Sequence, residues 1–217
     1  MRSLYLITDA KLCGGIAELP AALERALTVL PPGRALVQLR EKSLHGGALL
    51  ALARTLLPIC RARDAKLLVN DRLDVALAAG ADGIHLSTPS VEVEDARALA
   101  SSLGRDDFLV GASCHNFEEL RLRKDADFVV CSPVFASPGK GPPLGLEGLR
   151  ELARRAEPEV FALGGVEPRH AAICLQAGAR GLAAIRAWLG GDPAASAAAL
   201  HEALRAAEST AATPSRG

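Results

Sequence analysis

Short β-type runs alternate with Ala- and Leu-rich helical stretches eight times along the chain, and this repeat restricts the fold more than any other feature. Parallel strands cannot be joined by a tight hairpin, so each needs a crossover, usually a helix. Strands are predicted at 3–8, 34–40, 66–70, 83–86, 108–112, 127–132, 160–163 and 181–185, with helices near 19–30, 47–61, 72–79, 91–102, 117–123, 146–156, 168–177 and 193–207. Eight β/α units closing on themselves make a single α/β domain, a (β/α)8 TIM barrel, and 217 residues lies at the compact end of that fold's range. An open doubly wound sheet would carry a Gly-rich phosphate turn after its first strand. Here Thr8-Asp9-Ala10 follows that strand, and the Gly-rich turns come late, after strands six and seven. The Ala-Gly-Ala-Asp-Gly run at 79–83 and its counterpart Ala-Gly-Ala-Arg-Gly at 177–181 read as helix C-caps leading into strands. Residues 1–208 are assigned to the barrel, and 209–217, small and polar, to a disordered tail.

A hydrophobic content of 49% is enough for a full core, and 25 basic against 25 acidic residues leave no net field to attract nucleic acid or a membrane surface. Any anion recognition must therefore be local, and the expected partner is a small molecule. Five widely spaced cysteines without a C-x-x-C pair exclude the usual zinc and redox signatures and suit buried thiols in a reducing compartment. No secretory-type leader precedes Leu4 to Asp9 and no run of 18 apolar residues occurs, so a cytoplasmic protein is expected.

Ligand sites of barrels lie at the carboxyl ends of the strands, and these ends are unusually polar here. Strand two runs Val37-Gln-Leu-Arg-Glu-Lys42, an apolar strand ending in charge, with Gln38 and Arg40 sharing the inward parity. Strand three ends at Asn70-Asp71, strand five at Ser113 and His115, strand six leads through Ser132 to Ser137-Pro-Gly-Lys140, and strand seven ends at Gly164-Gly165. Arg40, Lys42 and Lys140 on one rim would repel one another unless a multiply charged anion, a phosphate or pyrophosphate, joined them. The competing reading of Lys42 is an ion pair with Glu41 or plain solvation. Gly164-Gly165 is either a tight turn or a cradle of bare backbone N–H groups for a monophosphate. Asn70-Asp71 reads as a magnesium-binding pair, as the N-cap of the next helix, or as both at once, and His115 either as a proton shuttle or as a hydrogen-bonded structural residue.

With those residues assembled, the chain resembles the thiamine-phosphate synthase and thiazole tautomerase (TenI-like) superfamily over nearly its whole length. The resemblance is carried by Tyr5-Leu-Ile-Thr-Asp9, Val37-Gln-Leu-Arg-Glu-Lys42, Leu68-Val-Asn-Asp71, Ala78-Ala-Gly-Ala-Asp-Gly-Ile-His-Leu86, Gly111-Ala-Ser-Cys-His115, Ser132-Pro-Val-Phe135 and Ala162-Leu-Gly-Gly165. It implies a transferase that joins hydroxymethylpyrimidine pyrophosphate to thiazole phosphate and releases pyrophosphate. In that reading Gln38, Arg40, Lys42 and Asn70 hold the pyrimidine pyrophosphate, Asp71 binds Mg²⁺, and Ser137 and Lys140 touch the pyrophosphate. Gly165 and the backbone around Ile185-Arg186 would hold the thiazole phosphate. A homodimer is a further expectation from the resemblance.

Three positions depart from the family pattern. Ser90 stands where a second metal carboxylate is expected, the pyrophosphate loop reads Ser137-Pro-Gly-Lys140, and Arg186-Ala187 replaces a Ser-Ala pair. They lean toward the tautomerase side, where His115 would move a proton on a thiazole carboxylate phosphate without metal. The nearly complete pyrophosphate set leans toward the transferase, which is the first expectation. A silent binder of thiamine precursors is the third.

Overall fold

The computed structural model describes residues 3–211. Eight parallel strands close in sequence order: β1 (Leu4–Ile7), β2 (Ala35–Leu39), β3 (Lys66–Asn70), β4 (Gly83–Leu86), β5 (Leu109–Cys114), β6 (Phe128–Cys131), β7 (Glu159–Ala162) and β8 (Gly181–Ala184), which pairs with β1. Between and after them run α1 (Leu19–Thr28), α2 (Gly46–Arg61), α3 (Leu73–Ala79), α4 (Val93–Ser102), α5 (Phe117–Leu122), α6 (Gly145–Arg155), α7 (Ala171–Gln176), α8 (Arg186–Leu189) and α9 (Pro193–Ala211). This is the (β/α)8 barrel expected from the repeat.

Strand parity sorts the core into two regions, because successive side chains point to opposite faces. Tyr5, Ile7, Leu36, Leu68, Phe128, Val130, Phe161 and Ala183 fill the barrel interior. Their out-of-phase neighbours, including Leu4, Val37, Leu67, Ile84, Val110, Val129 and Leu182, pack against the helical layer. Residues that continue the inward phase past the strand ends therefore rise into the mouth of the barrel, and those that continue the outward phase are turned away from it. That rule decides the fate of most of the charged residues at the rim.

Several predicted boundaries shift by one to three residues. Strand five runs on through Ser113 to Cys114, so two of its polar residues are strand residues rather than loop. The predicted 168–177 helix splits into a 3-10 turn (Pro168–His170) and α7. Two short elements escaped the sequence reading, a 3-10 turn at Ala10–Leu12 and α8. Trp188 of α8 is fully buried, and its indole N–H donates to the Ile7 carbonyl at 2.9 Å, which ties the last β/α unit to β1. The expected disordered tail is corrected at its start. α9 continues through 209 and Thr210 to Ala211, three residues into that stretch, and residues 212–217 lie outside the described residues. Its Ala-rich sequence favours helix, the Thr210 hydroxyl bonds the Ala206 carbonyl at 3.0 Å, and Glu208 pairs with Arg34 at 2.5 Å.

Closure depends on glycine where β8 meets β1. A Cβ at Gly181 would lie 2.1 Å from the Ser3 carbonyl oxygen, a backbone atom that cannot step aside. Gly181→Ala is expected to cost about 4 kcal/mol or more, the range of severe core lesions. Urea unfolding monitored through Trp188 measures it.

All five cysteines are free, four of them buried, as the reading of the thiols expected. No helix among the described residues is long and apolar enough to cross a membrane.

Candidate active site

A cavity of about 730 Å³ opens at the carboxyl ends of the strands. Its lining contains Gln38, Arg40, Lys42, Asn70, Ser113, His115, Ser137, Lys140, Gly164, Gly165, Ile185 and Arg186, so twelve of the thirteen residues singled out from sequence converge on one space. Asp71 is the exception.

The cations occupy this mouth without ion-pair partners among the described residues. Among the described residues no ion pair is formed by Arg40, Lys42, Lys140 or Arg186. The alternative reading of Lys42, a pair with Glu41, is not realised: Glu41 follows the outward phase and is only 8% exposed. Its carboxylate accepts from the Ala10 N–H at 3.0 Å. Burial pushes the Glu41 carboxyl upward, a shift that the Thr8 hydroxyl and the Ala10 N–H oppose. The Thr8 hydroxyl also accepts from the Arg40 backbone N–H at 2.9 Å, fixing the strand end that carries the guanidinium.

Gly164 and Gly165 have left-handed φ values of 92° and 61°, and a Cβ on either would come within 2.6 Å of the loop after β6, at Pro133 and Ala136. The two readings of this pair are therefore compatible. The glycines let the β7 loop press against the loop bearing Ser137 and Lys140; both line the cavity, and their N–H groups have no backbone acceptor among the described residues.

Asp71 continues the outward phase of Val69 and has a left-handed φ of 57°. It borders a smaller recess with Glu41, Lys42 and Arg72 instead of the main cavity. Its Oδ1 accepts from the Ser87 N–H at 2.8 Å, and its Oδ2 from the Ser87 hydroxyl at 2.8 Å and the Asn70 amide at 2.7 Å. Burial raises its pKa, but these bonds together with one from Ser90 outweigh that and leave it below the usual carboxylate value. The helix-capping alternative is not realised, since Arg72 occupies the N-cap position of α3 and no side chain caps it. What Asp71 does visibly is anchor the loop after β4. Arg123, 4% exposed and unremarked in the sequence, holds the same loop from the other side through the Ser87 and Thr88 carbonyls at 3.4 and 3.3 Å.

The side chains here do not by themselves complete a magnesium site. Mg²⁺ is usually held by one or two carboxylates completed by waters and substrate phosphates; Asp71 has three hydrogen bonds already directed at it, and Glu41, which borders the same recess, is engaged by the Ala10 N–H. No group of three or more His, Cys, Asp or Glu converges among the described residues.

His115 stands at the rim. Its Nδ1 lies 2.8 Å from the Glu119 carboxylate and 3.4 Å from the Thr88 hydroxyl. Both readings of it persist, since the same Glu119 carboxylate also accepts the His115 backbone N–H and so steadies the turn.

Sequence reasoning missed the polar groups beneath the cavity. His85 is 3% exposed and lines the floor, and Tyr5 is fully buried below it. Each is a polar residue in the middle of an apolar strand, and that was the available signal. Asp9, in the inward phase of β1, also reaches the lining. Burial holds the His85 ring far below its usual 6.5, at about 3, with Asp71 opposing the shift and Arg40 and Arg123 adding to it. The folded ring stays neutral while the unfolded chain takes a proton below ~6.5. Its contribution to stability is thus complete above that pH and declines as pH falls toward 3, by on the order of 4 kcal/mol. Urea unfolding at neutral pH and at successive acid values measures this decline, and His85→Gln is expected to flatten it.

A closed parallel barrel whose mouth gathers unpaired cations and bare N–H groups defines a TIM-barrel protein with an anion-receiving pocket. The chain belongs to the family whose model is described as thiamine monophosphate synthase, which matches residues 4–188. A thiamine-phosphate synthase of Anaeromyxobacter dehalogenans is 42% identical over 193 residues, covering 86% of this chain and 84% of the relative. One from Methanoregula boonei is 37% identical over 211 residues, covering 94% of each. Among solved structures, the thiamine phosphate pyrophosphorylase of Pyrococcus furiosus superposes with a TM-score of 0.83 at 29% identity, covering 94% of this chain and 96% of that one.

Proposed function

We propose that this protein is a thiamine-phosphate synthase, a transferase that joins 4-amino-2-methyl-5-hydroxymethylpyrimidine pyrophosphate to thiazole phosphate. The observation that carries the reading is the set Arg40, Lys42 and Lys140, three cations without ion-pair partners among the described residues, which line one cavity together with the Gly164-Gly165 turn; Arg40 and Lys42 come from the β2 end, and Lys140 from the β6 loop beside the glycines. Two anion sites of unequal charge in one space suit a pyrophosphate and a monophosphate.

In the reaction the pyrimidine methylene C–O bond breaks and its electron pair leaves with the pyrophosphate. The resulting cation is stabilised by the aminopyrimidine ring, and the thiazole ring nitrogen donates its pair to the methylene, forming the C–N bond. The protein stabilises charge where it develops: Arg40, Lys42 and Lys140 receive the departing pyrophosphate, with Asn70 and Ser137 as neutral donors. Gln38 and Ser113 lie on the floor where the ring would rest. Gly164, Gly165 and the backbone at Ile185 and Arg186 receive the thiazole phosphate, and the Arg186 side chain adds a cation there. Magnesium is proposed to come as the counter-ion of the pyrophosphate in solution, because the chain's own donors do not make a site for it. A cytoplasmic location and a homodimer complete the reading.

His115, paired with Glu119 at the rim, supports the second reading, proton transfer on a thiazole carboxylate phosphate. One experiment separates them. Purified protein is given the pyrimidine pyrophosphate and thiazole phosphate with magnesium, and thiamine phosphate is followed. Product is expected. Its absence, with conversion of the thiazole tautomer in a parallel tube, would replace the transferase by the isomerase.

A further inference from the structure

Four polar side chains from four strands form one hydrogen-bonded chain under the cavity floor. The Gln38 amide nitrogen donates to the Tyr5 hydroxyl at 2.9 Å, that hydroxyl lies 3.3 Å from His85 Nδ1, and His85 Nε2 lies 3.1 Å from the Ser113 hydroxyl. Tyr5 is wholly buried and packs edge-on against Phe128 and Phe161, with centroids 5.2 and 6.2 Å away. Gln38 and Ser113, the two ends, both face the cavity.

Proton counting gives this chain a direction. A phenol hydroxyl has one proton to give, and a neutral imidazole has one N–H and one bare nitrogen. With Gln38 donating to Tyr5, the Tyr5 proton must point to His85 Nδ1. The ring proton is then on Nε2 and points to Ser113. The Ser113 oxygen, already accepting, turns its own proton into the cavity, while the Gln38 carbonyl is left as an acceptor. Reversing the chain requires flipping the Gln38 amide and moving every proton, and it would invert both ends together. In an interior this dry, a single mismatched link would leave a buried donor or acceptor unpaired.

We propose that Tyr5 and His85 are positioning residues that fix the polarity of the floor, Gln38 as acceptor and Ser113 as donor, and so select the amino form of a pyrimidine ring over its oxo counterpart. The inference rests on the transferase reading for the identity of the ring. An aminopyrimidine offers an amino donor and ring-nitrogen acceptors, whereas the 4-oxo ring presents a carbonyl and a ring N–H in their place. Neither Tyr5 nor His85 needs to carry charge or touch the reacting bond for this.

The test is binding without turnover. Calorimetry with no thiazole phosphate present compares the aminopyrimidine pyrophosphate with its 4-oxo counterpart, for the native protein, Tyr5→Phe and His85→Gln. The native protein is expected to prefer the amino ring by about 100-fold, and Tyr5→Phe to lose about tenfold of that ratio, the effect of one lost hydrogen-bond link. His85→Gln, whose amide can still accept and donate, keeps more of the preference than His85→Phe. An unchanged ratio in Tyr5→Phe, or equal weakening for both rings, would overturn the proposal. As a second readout, ¹⁵N NMR of the ligand-free protein should show His85 protonated at Nε2 and bare at Nδ1, and the opposite tautomer would also overturn it. Failure of the transferase reading appears elsewhere, as no thiamine phosphate in the coupling assay with the ring preference intact.

Discussion

Arg40→Met lowers turnover of the pyrimidine pyrophosphate by about 10²- to 10³-fold, the usual cost of removing one preorganised group aimed at developing charge. The guanidinium sits in the inward phase of β2, two residues beyond Gln38, and forms no ion pair among the described residues, although the neighbouring Glu41 carboxylate feels its charge. It is therefore free to bond the leaving group, and it gains most when the C–O bond has broken and the pyrophosphate carries the extra charge. Met keeps the unbranched stem of the side chain and removes the charged guanidinium, and the backbone N–H that bonds the Thr8 hydroxyl stays in place. The melting temperature should accordingly move by only a few degrees. Steady-state kinetics of the purified variant measure the effect, with kcat expected to fall more than KM rises. A change confined to KM would mean that Arg40 binds ground state and transition state alike.

Much of this site was readable because strand parity is a strict rule. Gln38, Arg40 and Lys42 alternate into the cavity as their spacing says, and the Gly-Gly turn falls after β7 where a barrel holds anions. The same rule shows why Asp71 and Glu41 differ from their neighbours. Both are one residue out of phase, and each carboxylate is used up on backbone N–H groups of an adjacent loop. Motif spacing alone sees adjacent polar residues as a pair and does not see that they point apart. The Tyr5 to Ser113 chain was hidden for another reason: its members lie up to 80 residues apart for Tyr5 and His85, and only closure of the barrel brings β1 and β4 across from each other. Arg123 was hidden because an arginine at the end of a short helix reads as surface charge until the β4 loop is laid over it. The helix running on to Ala211 was missed because a small, polar composition also suits Ala-rich helix once its first turns are docked.

Ser90→Asp is expected to create a metal site on the substrate-free chain. In the native protein the Ser87 and Ser90 hydroxyls and the Asn70 amide bond Asp71, and these neutral donors stabilise a single negative charge. A second carboxylate beside Asp71 would place two like charges together, which is unfavourable until a cation joins them. Magnesium supplies that cation, so its affinity for the free protein should rise by about tenfold or more, each such factor corresponding to about 1.4 kcal/mol. Calorimetric titration of magnesium into substrate-free protein decides the matter. The native protein should show no saturable binding below the millimolar range and Ser90→Asp a measurable site. Asp71→Asn in the same background should abolish it. Tight binding by the native protein would show that Asp71 can leave its serine partners, and the assignment of charge neutralisation to Arg40, Lys42 and Lys140 alone would have to be given up. The expected contrast fits a charge argument that needs no ion fixed on the chain, since three uncompensated side chains already face the leaving group.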